Sequence, residues 1–191
     1  MSAMSVAPGG REPEPEITLG DNWWRIPLGD EAASSAKMRE FVDYQFGRAE
    51  ELSMSPLEIM VMASACAMNF GESQDVIAAI SLEPESQFPP GLSGLAMIRV
   101  PGTLDEIKDR LRADGVEFAE IAGPLGPMVR SIRGTDTVTV TYWLDPGDGS
   151  DLYRALFDNG HPELKEQLVD YFDRMISTFS LPDSASVDRP Q

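Results

Sequence analysis

His161 is the only histidine and Cys66 the only cysteine of this 191-residue chain. Two of the side chains most used for proton transfer and thiolate chemistry therefore occur once each. His161 precedes Pro162 at a predicted helix start and reads as a loop or capping residue, because no nucleophile stands at a recognisable spacing from it. Cys66 lies among Ala65, Ala67 and Met68 with no basic neighbour in sequence to lower its pKa, so it reads as a buried, inert thiol. One cysteine also excludes an intrachain disulfide and a multi-cysteine metal site. Ser93, in Gly91-Leu92-Ser93-Gly94, lacks the G-x-S-x-G pattern and lies beside Pro89 and Pro90 instead of in a strand-to-helix elbow.

The oxygen-rich and glycine-rich segments are equally plain. Asp145, Asp148 and Asp151 fall in one hairpin, but without EF-hand spacing or a bidentate Glu they read as solvated turn residues. Gly123-Pro124-Leu125-Gly126-Pro127 sits between two strands, and its prolines remove the amide donors that a phosphate would need. Glu50-Glu51, Glu83 and Glu85 read as surface charge. No catalytic residue, metal or cofactor is expected.

Charge narrows the partners. With 32 acidic and 15 basic residues the formal net charge is −17. That field repels phosphate backbones and anionic lipid headgroups, so neither nucleic acid nor a membrane surface is expected, while a basic protein partner is compatible with it. The N-terminus has no apolar h-region and only one basic residue, Arg11. No apolar run reaches the length of a membrane span. A cytoplasmic protein is the expectation.

The elements that must position any site follow from periodicity. Residues 1–17 and 182–191, rich in Pro, Gly, Glu and Ser, read as disordered tails around a single domain over 18–181. DNWWRIPL reads as a strand with Trp24, Ile26 and Leu28 on one face. Ser34 or Ser35 is expected to cap a helix running to Leu52. Its apolar positions are Met38, Phe41, Val42, Ala49 and Leu52, with Gln45 the polar exception and Gly47 a weak point. Ser55-Pro56 restarts a helix that is apolar nearly all round. DVIAAISL and LSGLAMIRV read as strands. Thr103 and Glu106 form a capping box for a helix with the stripe Leu104, Ile107, Leu111, stopped by Asp114-Gly115.

Four further strands follow: VEFAEIA, PMVRSIR, TVTVTYWL and SDLYRALF. The third alternates most sharply, with Val138, Val140, Tyr142 and Leu144 on one face and Thr137, Thr139, Thr141 and Trp143 on the other. A last helix, with Pro162 in its first turn, carries Leu164, Leu168, Phe172, Met175, Ile176 and Phe179 as its buried stripe and must cover this meander. The expected fold is α+β: a mostly antiparallel sheet of six or seven strands flanked by helices.

The run TVTVTYWLDPG, then a strand ending LFDNG, then HPELKEQLVDYFDRMISTFSL resembles the C-terminal half of PsbP-like α/β/α sandwich proteins. It is more closely similar to actinobacterial members that open with a tryptophan-containing strand such as WWRIPL. The resemblance spans residues 20 to 182 and implies a non-enzymatic binding or assembly factor. It carries over no functional residue. The resulting expectation is a non-catalytic protein-interaction factor of the adaptor, chaperone-like or immunity-like kind. The alternative is a small-molecule-binding or hydrolytic protein with a pocket between sheet and helices, marked by a cavity joining His161 to Ser93 or an Asp. Candidate contact residues are Trp23 and Trp143, which point away from the assigned core faces, Arg25 beside Trp23, and Met62 in the methionine-rich helix. A second layer of helices covering the two tryptophans is the competing reading.

Overall fold

The computed structural model describes residues 15–28, 30–61, 75–85 and 87–181. Among them, apolar residues alternating along the chain give seven strands: β1 (Trp24–Arg25), β2 (Asp75–Ser81), β3 (Ser93–Val100), β4 (Phe118–Gly123), β5 (Gly126–Arg133), β6 (Val138–Leu144) and β7 (Leu152–Asn159). All pair antiparallel in one sheet of order β1-β2-β3-β7-β6-β5-β4. The last four strands form the meander expected from their turns. Between β4 and β5 the hairpin is closed by Pro124 and Leu125, with Gly126 at φ +127°, a conformation that glycine adopts without a Cβ clash.

Both faces of the sheet are apolar, and helices cover both, so the layers run α/β/α. One face carries Leu95, Met97, Val140, Tyr142 and Phe157, packed beneath α3 (Lys165–Ile176) with Leu168, Phe172 and Ile176. On the opposite face, α1 (Glu31–Gly47) covers one end, where Ile26, Phe41, Leu52, Ala78 and Ile80 are buried together with Ile59 of the helical stretch 56–61. The other end lies under α2 (Leu104–Ala113), whose Ile107 and Leu111 meet Val129, Trp143 and Leu152. The Thr103 and Glu106 capping box forms as its sequence spacing predicts, with Thr103 N–H donating to Glu106 Oε2 at 2.8 Å and Glu106 N–H to Thr103 Oγ1 at 3.3 Å.

Several expectations change. α1 starts about one turn earlier than a Ser34 or Ser35 cap allows: Asp30 Oδ1 accepts from Ala33 N–H at 3.0 Å, and the Ser34 hydroxyl instead donates to the Pro27 and Asp30 carbonyls. The helix stops at Gly47, not Leu52, because residues 48–53 turn back to bring Leu52 under α1. The boundary drawn at residue 17 cuts into folded chain, since Glu16 bridges Ser180 and the Ile17 side chain is buried. Pro162 begins a short 3-10 turn, Pro162–Leu164, before α3. Trp23 and Trp143 are 7% and 9% exposed, so both belong to cores, one on each face, with helices covering them. Met62 and Cys66 lie outside the described residues. Among those described, no helix is long and apolar enough to cross a membrane.

Candidate functional site

At the β1 edge the chain turns at Gly20–Trp23, with Trp23 N–H donating to Gly20 O at 3.0 Å, and then runs beside β2 for two residues, Trp24 opposite Ile80 and Arg25 opposite Ala79. Pro27 has no N–H to continue a ladder. Successive side chains therefore fall on opposite faces of the sheet edge. Trp23 goes under α3, where its Nε1–H donates to Tyr171 Oη at 2.7 Å, and that hydroxyl donates to Pro84 O at 3.1 Å. Trp24 goes under α1, edge-on to Phe41 at 5.7 Å and tilted against Tyr44 at 5.3 Å. Arg25 Nη2 donates to Ile17 O at 2.7 Å.

These residues wall a cleft of about 630 Å³ that wraps the sheet edge, closed on its far side by Lys37, Tyr44, Gln45 and Arg48 of α1 and the turn behind it. Its lining charges balance: Arg25, Lys37 and Arg48 stand against Asp21, Glu40 and Glu83. In a chain of net charge −17 this is a locally neutral place. Lys37 Nζ sits 4.8 Å from the Trp24 ring centroid and 2.9 Å from Glu40 Oε2. Arg48 reaches Glu83 Oε2 at 2.8 Å and Glu51 Oε2 at 3.1 Å, bonds that hold its guanidinium further above the ordinary arginine range. Gln45, the polar exception in the apolar stripe, is 3% exposed, and its Oε1 is enclosed with no donor among the described residues. Leaving such an acceptor unmet costs about 1–3 kcal/mol.

The arrangement expected of a hydrolase does not assemble. Ser93 is fully buried, and its hydroxyl accepts from Asn159 Nδ2 at 2.7 Å, while Asn159 Oδ1 accepts from His161 N–H at 2.8 Å. The His161 ring is taken by Pro90 O at 3.1 Å and Glu163 Oε1 at 2.9 Å. A Cβ on Gly91 would come within 2.3 Å of His161 Nε2, so glycine there lets the 82–91 loop lie against the ring. This is a clamp joining β3, the end of β7 and the proline loop. Asp145 and Asp148 accept from Gly147 N–H at 2.8 Å and Ser150 N–H at 2.9 Å as turn-forming side chains. Among the described residues, no group of three or more His, Cys, Asp or Glu is placed to hold a metal ion.

Asp158 is a half-buried carboxyl away from the cleft. Asp158, on the α1/α2 face of β7, is pushed up by burial, partly offset by Thr139 Oγ1–H donating to it at 2.5 Å. A carboxyl raised in the fold stabilises below its unfolded pKa, and that contribution is lost as pH rises through its folded pKa. At neutral pH its charge opposes folding. Asp158→Asn is expected to melt at a higher temperature than the parent at pH 7, with the gap closing below about pH 4, near the unfolded carboxyl pKa. Thermal melts at the two pH values check this; a lower melting temperature at pH 7 would show that the charge is satisfied in place.

Of the residues that the sequence offered as protein contacts, Trp23 and Arg25 line this cleft, and its other walls were missed. The available signal was the spacing of Lys37, Tyr44 and Arg48 along one helix face, together with Gln45 beside it. No protein-family model, no curated protein and no solved structure matches this chain, so the cleft is read on its own chemistry.

Proposed function

We propose that the protein is a non-catalytic binding protein that holds a small ligand in the cleft between β1 and α1. The carrying observation is the Gln45 amide, buried on the cleft wall with an acceptor that no described residue meets. Natural proteins satisfy nearly all such atoms, so an exception needs a physical explanation, and a ligand in the cleft supplies one. The lining supplies aromatic faces, balanced charge and an amide, the groups that orient a ligand. Among the described residues it contains no Ser, Cys or His, so these offer no nucleophile paired with an imidazole base. A binding role accords with the resemblance to PsbP-like proteins.

A second reading, the protein-interaction factor, is favoured by a separate observation. Tyr44, Leu57, Met60 and Val61 are all 49% exposed or more and lie within 18 consecutive residues. A partner on that patch would be basic, given the chain's field.

The test follows the three indole N–H signals by NMR while a library of small polar fragments is added to the full chain. A ligand in the cleft moves Trp23 and Trp24 saturably and leaves Trp143, beneath α2, in place. It also raises the melting temperature as occupancy grows. Indole signals that stay still across the library would sink the cleft reading and leave the exposed patch as the working surface.

A further inference from the structure

We propose that the cleft takes a short zwitterionic peptide. This rests on the reading of the cleft as a ligand site, and it names the ligand class. Most of the lining charge is already committed within the protein: Lys37 to Glu40, and Arg48 to Glu51 and Glu83. Three groups are not. Arg25 gives one bond to Ile17 O and meets no carboxylate among the described residues, leaving guanidinium donors for a bidentate carboxylate. Asp21, exposed on the turn, has no ion pair among the described residues and suits an ammonium. The Gln45 side chain bonds to no described residue, and its amide N–H groups can donate to a peptide C=O. An ammonium, an amide and a carboxylate together are the polar groups of a dipeptide.

Field and size agree with that inventory. A net-neutral zwitterion is not repelled by a −17 protein, whereas a ligand bearing only a carboxylate is. Asp21 and Arg25 are four residues apart, a backbone span of at most ~14 Å, so a ligand that meets both is only a few residues long. Trp24 and Tyr44 present ring surface on the α1 side for an apolar side chain.

The experiment titrates the full chain with the dipeptide Leu-Phe, with its N-acetylated form and with its C-terminal amide, reading the Trp23 and Trp24 indole signals against Trp143. The free dipeptide is expected to bind at least tenfold more tightly than either capped form. Arg25→Gln should abolish discrimination against the amide, and Asp21→Asn discrimination against the acetylated form; both residues are exposed, so the fold tolerates the changes. Gln45→Met should raise the melting temperature, because it removes an unmet buried acceptor, and should weaken the dipeptide at least tenfold. Equal affinity for free and capped forms overturns the proposal. So does a Gln45→Met protein that melts higher and binds unchanged, which would mean that the amide holds only a buried water. Dipeptides that leave the indoles still while other fragments move them overturn the peptide class alone. Silence from both removes the cleft reading itself.

Discussion

Phe172→Ala is expected to lower the unfolding free energy by about 3–5 kcal/mol, the range for truncating a large buried aromatic. Phe172 is fully buried beneath the sheet and stacks on Phe157 with ring centroids 4.6 Å apart and planes 21° apart. Phe157 in turn meets Tyr142 edge-on at 5.7 Å. The ring is therefore the point through which α3 grips the two central strands β6 and β7. Its loss removes apolar burial and a stacked pair at once, and the neighbouring rings are held by their own contacts and cannot collapse into the void. Chemical denaturation of the variant measures the change. An unaltered midpoint would mean that α3 is not what seals this face.

Alkali is expected to unfold the protein steeply. Burial, reinforced by the hydrogen bond to Asp173, pushes the Tyr142 phenol far above its ordinary range. Tyr142 Oη–H donates to Asp173 Oδ1 at 2.6 Å, and Arg130 pairs with the same carboxylate. Burial likewise pushes Tyr171 up, to about 12, although the Trp23 N–H that it accepts favours the phenolate and limits the rise. Both phenols stay protonated in the fold at pH values where the unfolded chain ionises. Their contribution is intact below the unfolded pKa of 10 and drains away as pH climbs towards the folded values. Each group removes about 1.4 kcal/mol per pH unit in that window, so the pair removes about 2.7 kcal/mol per unit between about pH 10 and 12. Urea denaturation at stepped pH reads the slope. Tyr142→Phe and Tyr171→Phe should each halve it. A slope indifferent to both substitutions would place the alkaline transition elsewhere.

Much of the scaffold was legible because its signals are local. The alternation Val138, Val140, Tyr142, Leu144 fixes which face of β6 meets α3, and the Thr103 and Glu106 spacing fixes where α2 begins. Trp23 and Trp143 show the limit of that reading. Period-two alternation assigns a side chain to a face, but whether a second layer covers the face is decided by chain from elsewhere: α3 for Trp23 and α2 for Trp143. The missed cap has the same character. Asp30 and Ser34 both suit a helix start, and the contest is settled by Pro27, whose carbonyl engages the serine. The cleft was the least legible part, because the turn at residues 20–25, the face of α1 and Glu83 meet only once β1 has docked on β2. Its local traces were the spacing of Lys37, Tyr44 and Arg48 and the polar Gln45 in a stripe of apolar positions.

The β3–β7 ladder has a kinetic meaning. The meander from β4 to β7 and the hairpin of β2 and β3 each close over short connections. The register that unites them sets Leu95 against Phe157, 62 residues further along. Closing a loop of that length costs roughly 3.7 kcal/mol of chain entropy from the logarithmic length term, and no side-chain contact repays it until both halves are in place. Eight pairs then form together along that one line. Such non-local pairing places the chain among the slower-folding small domains, and makes β3 and β7 the strands whose edges stay open longest while it folds.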